Sequence, residues 1–292
     1  MRILLTGITG YLGSKLASFL LANGFYVVGL KRRSSSLDKI EKLLPHIKLY
    51  DWEDWDFFKS LIQCEQFDVV IHTATNYGRQ GEGLNELINS NVVIPTTLLD
   101  FASTCGIKFF INTDTTLDKM LNPYALSKSQ FSDWGKYLAQ KEKICFINLK
   151  LEHFYGPGDD KTKFISYLVS SCLKNIPELN LTNGEQFRDF IYIDDLLSAF
   201  KILLERMNSF NLGFREIEVG SGSAVTIRQV VNIIHNLTHS VTKLNFGALP
   251  YRALETMMSK ADTTVLMSFD WECSYDIEAG LNKMIELERE SL

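Results

Sequence analysis

The sequence predicts an α/β fold, a doubly wound parallel sheet with a smaller C-terminal α/β domain. Three observations predict it. Short apolar or β-branched runs recur through the first 150 residues, segments of helical period lie between them, and the first run drops straight into a glycine-rich turn. At 292 residues, 46% hydrophobic and 12% aromatic, the chain has enough apolar surface to bury a full core.

The elements follow in order. The first strand is 2–6 (RILLT), and 11–23 (YLGSKLASFLLAN) reads as the helix after it, stopped by Gly24. Further strands are expected at 26–30, 47–50, 68–72, 108–112 and 145–151, each about long enough for one buried strand. Helical period occupies 54–63, 84–105 and 124–141. After residue 150 the alternation loosens and turn signals rise, at Tyr155-Gly156-Pro157-Gly158 and Asn183-Gly184. No repeat, low-complexity tract or flexible linker is present, so the second half is expected to pack against the first without a hinge.

Composition excludes several classes of function. A net charge of -5 without a long basic run argues against a nucleic-acid partner. Five cysteines, widely spaced and with no CxxC pair or neighbouring His, read as reduced thiols of a cytoplasmic protein with no metal site. No leader pattern precedes the first strand, and no apolar run approaches the roughly 18 residues of a membrane span, so no membrane insertion is expected.

The glycines carry the first functional signal. A strand ending in Thr6-Gly7 that feeds an amphipathic helix gathers backbone N–H groups and the positive helix end at one spot, which suits a pyrophosphate. Gly7 permits the tight turn, Gly10 lets the backbone approach a phosphate, and Gly13 lets helix and strand pack closely; Thr9, Tyr11 and Leu12 complete the cradle. A plain strand-to-helix turn has the same composition, but its place at the first strand of a long alternating region favours a Rossmann-type dinucleotide site. Residues 1–150 are then the NADP-binding domain, with returns near 188–200 and 215–245, and 151–292 mainly bind substrate. The GxxGxxG spacing departs from the GxGxxG fingerprint.

With that spacing, the chain resembles the extended short-chain dehydrogenase/reductases, the group of nucleotide-sugar epimerases, dehydratases and 4-ketoreductases, whose turn reads TGxxGxxG. The resemblance covers almost the whole chain: "TGITGYLG", "DVVIHTAT" (68–75), Asn91 ahead of "VVIPTTLL", "YALSK" (124–128), "LEHFYGPGD" (151–159), "RDFIYIDD" (188–195) and "EVGSG" (218–222).

Cofactor choice is argued from charge. An acid near the end of the second strand favours NAD and repels a 2′-phosphate. Here that place reads Lys31-Arg32-Arg33-Ser34, which favours NADPH through charge-assisted hydrogen bonds; a solvated basic loop is the bland reading. Asp51 in "LYDW", with Trp52 beside it, looks like the family's adenine-contacting acid. Thr73, Ala74 and Thr75 match the stretch lining the cofactor's ribose and diphosphate, and Asn91 belongs to the same expected site.

Tyr124 and Lys128 stand one helical turn apart on one face. A neighbouring ammonium and the positive nicotinamide are expected to lower the phenol's pKa from about 10 and make it a usable acid or base. Such a pair alone is also an ordinary helix-surface pair. By resemblance to the "STD" pattern, Thr113 is the favoured hydroxyl partner of the substrate's reacting oxygen, with Thr115 the alternate on the epimerase pattern "SSS". Asp114 follows, but where 4,6-dehydratases carry Glu this chain has Thr115, which cannot act as the eliminating base. Dehydration is therefore disfavoured.

In the second half the resemblance makes Arg188 and Arg252 clamps for a nucleotide-sugar diphosphate. A buried pair of Arg188 with Asp189 or Asp194 is the structural alternative. Lys163 and Phe164 in "KFI" and His153 in "LEHFYGPGD" are expected to face the substrate, although a lone His beside a strand is more often structural. These motifs, with "GEQFRDFIYIDD" and "FGA" (246–248), look most like bacterial 4-ketoreductases that make CDP-linked 3,6-dideoxyhexoses for lipopolysaccharide O-antigen. The reaction so implied is reduction of a C4 ketone by NADPH. The alternatives are a 4-epimerase holding NAD tightly, a dTDP-4-keto-6-deoxyglucose reductase forming dTDP-fucose, and, remotely, a non-catalytic cofactor-binding regulator. Family habit implies a homodimer through the helices at 84–105 and 124–141.

Overall fold

The computed structural model describes residues 1–53, 56, 59–60, 65–79, 81–141, 143–252 and 254–290. Its central sheet has seven strands in the order β10-β6-β5-β4-β1-β2-β3. These are β1 (Arg2–Thr6), β2 (Tyr26–Lys31), β3 (Lys48–Asp51), β4 (Val69–His72), β5 (Phe109–Thr115), β6 (Cys145–Leu151) and β10 (Gly213–Val219). The pairs β3–β2, β2–β1, β1–β4 and β4–β5 all run parallel. Strand order reverses between β1 and β4, the switch point outside whose carboxyl ends ligands bind in folds of this kind.

Continuous burial makes the sheet two-sided. β4 is buried at every position and β5 at six of seven, because helices cover both faces and leave no solvent side to demand alternation. The helices are α1 (Tyr11–Ala22), α2 (Leu84–Ile88), α3 (Ile94–Thr104) and α4 (Pro123–Ala139). An aromatic cluster seats α4. Phe131 packs edge-on against Phe110 and Phe146, which stack on each other at 5.5 Å. A Cβ on Gly135 would collide with the Phe146 ring, so this helix lies as close to β6 as a glycine allows.

One local expectation changes. The helix expected over 84–105 is broken by a π-helical turn at Asn89–Val93 between α2 and α3. Pro95 has no N–H to give the Asn91 carbonyl, so the hydrogen-bond ladder widens there. The helix expected over 54–63 falls outside the described residues except at 56, 59 and 60, as does Cys64. A 3₁₀ segment, Asp38–His46, precedes β3.

The chain divides into two compact units, Met1–Lys150 with Leu203–Ile217, and Leu151–Ile202 with Glu218–Leu292. Of the returns expected at 188–200 and 215–245, the segment Leu203–Ile217 overlaps the second at its start, and 188–200 lies in the second unit. Residues 187–192 form β9, which pairs with β7 (His153–Tyr155) and β11 (Ala224–Thr226) in a separate three-stranded sheet. The second unit also holds the parallel pair β8 (Glu178–Leu181) with β12 (Lys243–Phe246), and helices α5 (Phe164–Leu173), α7 (Ile227–Thr238), α8 (Thr264–Met267) and α9 (Ile277–Arg289). Helix α6 (Ile193–Arg206) runs from the second unit into the returning segment. A reciprocal cap opens α7: Gln229 N donates to Thr226 Oγ1 at 3.1 Å, and Thr226 N donates to Gln229 Oε1 at 2.8 Å. No helix among the described residues is long and apolar enough to cross a membrane.

Candidate active site

The glycine turn is built as a phosphate cradle. Gly7 has φ +70°, and a Cβ on it would lie 2.5 Å from Ala74 N; a Cβ on Gly13 would collide with the Gly7 carbonyl. Gly10, the exposed N-cap of α1, has no side-chain cap, and a Cβ there would meet only Gly7 O, at 3.2 Å. Strand, turn and helix thus close tightly around Gly7 and Gly13 while the helix N-terminus is left open at Gly10. This fits a dinucleotide's diphosphate. Leu12 is buried in the core, so its backbone is what it can offer. Thr9 and Tyr11 are half-buried in the same turn.

The far end of β2 differs from expectation. Lys31 Nζ is paired with Asp51 at 2.5 Å, because the parallel register sets the two residues side by side. The Arg33 guanidinium lies 3.8 Å from Asp51, and its backbone N–H donates to Glu53 at 3.1 Å. Lys31 is therefore neutralised within the fold, and Arg32, Arg33 and Ser34 are the exposed residues of the segment. Trp52 packs against the core cluster.

The loop after β4 is pinned at two points. Thr73 Oγ1 donates to Thr6 O at 2.8 Å, and Ala74 N donates to Thr6 Oγ1 at 3.3 Å. Asn91, in the π turn, accepts from Asn76 N and donates to Asn76 O, both at 2.8 Å, and its amide also donates to Ser127 Oγ at 2.9 Å. Ser127 Oγ donates in turn to Tyr124 O at 2.8 Å. The Thr75 hydroxyl lies 3.5 Å from Asn91 Oδ1. Asn91 thus acts through its neighbours, tying the loop to the helix that carries Tyr124, and a π turn at a functional site is a recurrent device.

Helix α4 begins with Asn122, whose side chain accepts from Ala125 N at 2.8 Å, and Pro123 at its first position. Tyr124 therefore sits in the first turn and Lys128 one turn further, almost wholly buried. Burial lowers Lys128 to a pKa of about 8, against the pull of Asp114. Burial pushes the Tyr124 phenol well above its ordinary value, and Tyr77 and Asp114 push the same way; the Thr115 hydroxyl and Arg79 oppose them. The lowering was expected from an ammonium and a positive nicotinamide together; in the protein alone, desolvation dominates and raises the phenol. The phenol is held protonated at neutral pH.

The two candidate hydroxyls stand differently. Thr113 Oγ1 is buried and donates to His72 O at 3.0 Å. Thr115, two residues nearer the strand end, has its hydroxyl close enough to the Tyr124 phenol to oppose the rise in its pKa, and it also accepts from Leu117 N at 3.3 Å. Both lie on one face of β5, two residues apart. Asp114 is buried between them, accepting from Thr115 N and from Asn148 Nδ2, each at 2.8 Å. Asn148 Oδ1 accepts from Asn112 Nδ2 at 2.7 Å, which extends a buried polar chain from the site into the sheet. Tyr77, whose ring centroid lies 5.0 Å from that of Tyr124, and Arg79, over Tyr77 at 5.1 Å, are site residues that sequence reasoning missed. Their signal is tertiary, a loop folded back over a helix start.

In the second unit Arg188 pairs with neither Asp189 nor Asp194. Its Nη2 meets Glu255 at 2.5 Å and Nη1 donates to Phe187 O at 2.8 Å. Burial lowers the guanidinium's pKa, and the carboxylates of Glu255 and Glu152 resist that shift. Asp194 pairs with Lys283 at 2.8 Å. Glu152 accepts from Ser259 Oγ at 2.7 Å and lies 3.3 Å from the His153 ring. Lys163 bonds the buried Asp159 at 3.0 Å, and Phe164 opens α5 beside it. Arg252 is exposed, three residues before Glu255. Among the described residues no group of three or more His, Cys, Asp or Glu is placed to hold a metal, and the four described cysteines are free.

Comparison with known proteins agrees with this geometry. The sequence profile of the NAD dependent epimerase/dehydratase family matches residues 3–213. CDP-abequose synthase of Salmonella muenchen is 36% identical over 98% of this chain and 97% of its own length, and that of Salmonella typhimurium is 30% identical over 97% of each. A solved structure of UDP-glucuronic acid 4-epimerase from Bacillus cereus, in complex with UDP-glucuronic acid and NAD, superposes with a TM-score of 0.87 at 22% identity, covering both chains completely. The Gly7–Gly13 turn, the switch point beside it and Tyr124 one turn before the buried Lys128 are thus features of an enzyme that belongs to the NAD dependent epimerase/dehydratase family, within the extended short-chain dehydrogenase/reductases.

Proposed function

We propose that this chain is an NADPH-dependent nucleotide-sugar 4-ketoreductase that reduces the C4 ketone of a CDP-linked 4-keto-3,6-dideoxyhexose, as its CDP-abequose synthase relatives suggest, for O-antigen sugar synthesis. One observation carries the reaction type: Tyr124 stands one helical turn before the buried Lys128, while Thr115 stands where a dehydratase needs its base. The reduced nicotinamide supplies the hydride. Tyr124 gives its proton to the oxygen that becomes the C4 hydroxyl, Thr115 donates a hydrogen bond to that oxygen as charge grows, and solvent restores the phenol. Lys128 bears the positive charge beneath the pair, and Asn91 with Ser127 fixes the helix start.

Gly7, Thr9, Gly10 and Gly13 hold the diphosphate, Thr73 to Thr75 flank it, and Arg32, Arg33 and Ser34 are the groups for a 2′-phosphate. Arg188 clamps the sugar nucleotide's diphosphate, with Arg252 the second cation and Lys163, Phe164 and His153 further candidates. Trp134 and Tyr137, exposed on α4, support a homodimer seam, and the reduced thiols suit a cytoplasmic enzyme. A second reading, a 4-epimerase retaining NAD, is favoured by the Asp51 and Glu53 carboxylates beside Lys31 and Arg33.

The test is NADPH oxidation with CDP-4-keto-3,6-dideoxyglucose and with dTDP-4-keto-6-deoxyglucose, followed by NMR of the product's C4 configuration. Turnover of the CDP substrate is the expected result. No oxidation of either, together with NAD carried through purification, replaces this reading with the epimerase.

A further inference from the structure

Tyr124 stands in the first turn of α4, where a helix is least constrained. Its inner side meets the Thr115 hydroxyl and the Asp114 charge from β5, and Lys128 follows on its own helix. Something must also hold the ring from the outer side. The loop after β4 does so: the Tyr77 ring lies against that of Tyr124 with centroids 5.0 Å apart and planes tilted by 40°. Arg79 covers Tyr77, its guanidinium carbon 5.1 Å from the ring centroid.

The loop is built to present this stack. Asn91 grips both the N–H and the carbonyl of Asn76, the Asn76 side chain accepts from Gly78 N at 2.9 Å, and Gly78 takes φ +66°, which a side chain would resist. Tyr77 and Arg79 therefore stay on one side of a braced turn although both are exposed. The same Asn91 amide holds Ser127 on α4, so one residue fixes both halves of the stack. A tilted aromatic pair and a cation over a ring are each attractive beyond simple burial.

We propose that Tyr77 and Arg79 are positioning residues for the reaction: the Tyr77 ring, closed from outside by Arg79, holds the Tyr124 phenol in the orientation that delivers its proton. The inference rests on the ketoreductase reading for its activity readout but not for its spectroscopic one. Arg79 also opposes the burial that raises Tyr124, so its positive charge acts in the direction the forming phenolate needs.

The test uses the full chain with Tyr77→Ala, Tyr77→Phe, Arg79→Ala and Arg79→Lys. Each is labelled with 3-fluorotyrosine, and the resonance of residue 124 is assigned by its loss in Tyr124→Phe. The expected result is one shifted, narrow line in the parent and Tyr77→Phe, and a moved or broadened line in Tyr77→Ala and Arg79→Ala, with Arg79→Lys between. In the ketoreductase assay Tyr77→Ala should lower kcat about fivefold to tenfold with KM little changed, and Tyr77→Phe should recover most of it. An unchanged Tyr124 line in Tyr77→Ala, or a loss confined to KM, overturns the proposal. If the parent turns over no keto sugar, the ketoreductase reading fails by itself, and the fluorine spectra still decide this one.

Discussion

Asp114 and Asp189 are both buried carboxylates at functional-looking motifs, and they do different work. Asp189 accepts from Ser221 N at 2.8 Å, Ser221 Oγ at 2.6 Å, Gly222 N at 2.9 Å and Ala261 N at 3.1 Å. Its charge is spread over four donors from two loops, and it fastens those loops to β9. Asp114 takes Thr115 N and Asn148, and its remaining field reaches Lys128 and Tyr124. A carboxylate saturated by backbone donors is scaffold, whereas one that shares its charge with titratable neighbours shapes chemistry.

The contrast is broken most forcefully at Asp189. Replacing it by Ala strands four donors, so Asp189→Ala should cost about 4 kcal/mol and show as a sharply lowered urea midpoint or as insoluble protein. A loss below about 1 kcal/mol would mean the carboxylate is not the fastener it looks. Next in size is the hydroxyl pair. Thr115→Val should lower kcat about a hundredfold, while Thr113→Val, which removes a bond to a strand carbonyl, should keep kcat within about threefold and lose stability instead. The reverse pattern would restore Thr113 to the role that the "STD" resemblance gave it.

Asp114→Asn should act on charge more than on stability. Without the carboxylate, Lys128 loses the interaction that favours its protonated form, so its pKa falls below about 8. The alkaline limb of the kcat profile that follows Lys128 should move to lower pH by about one unit, with a Tm change of a few degrees. The smallest effect on stability belongs to Lys128 itself. Its folded pKa, about 8, lies under the ordinary lysine value of 10.5, so below pH 8 both states carry the proton and the full desolvation penalty is present. Lys128→Met should therefore raise Tm by about 2 °C at pH 7 while abolishing turnover, and the gain should shrink between about pH 8 and 10.5 as the folded wild type sheds its proton first. An unchanged or lowered Tm would show that Lys128 is held by more than its chemistry requires.

How much of this was legible can be argued residue by residue. The strands at 2–6 and 145–151, the first helix and the glycine turn were readable because backbone geometry and a period of two or 3.6 residues act over a few positions. The four-residue step from Tyr124 to Lys128 likewise fixes a shared helix face. The broken helix at Asn89–Val93 was written in Pro95 but passes unnoticed when apolar period alone is followed.

By itself, then, the sequence determined the alternating sheet, the phosphate turn and the pairing of phenol with ammonium, all properties of neighbours along the chain. Tertiary structure decided which partner each polar group found. The register of β2 with β3 gave Lys31 to Asp51, the depth of β5 gave Thr113 to a carbonyl, and a loop 47 residues before Tyr124 supplied Tyr77. Those choices depend on which strands adjoin and how deeply each residue is buried. No local period encodes them, and burial tunes the phenol as well: desolvation raises the Tyr124 pKa against the opposing Arg79 cation.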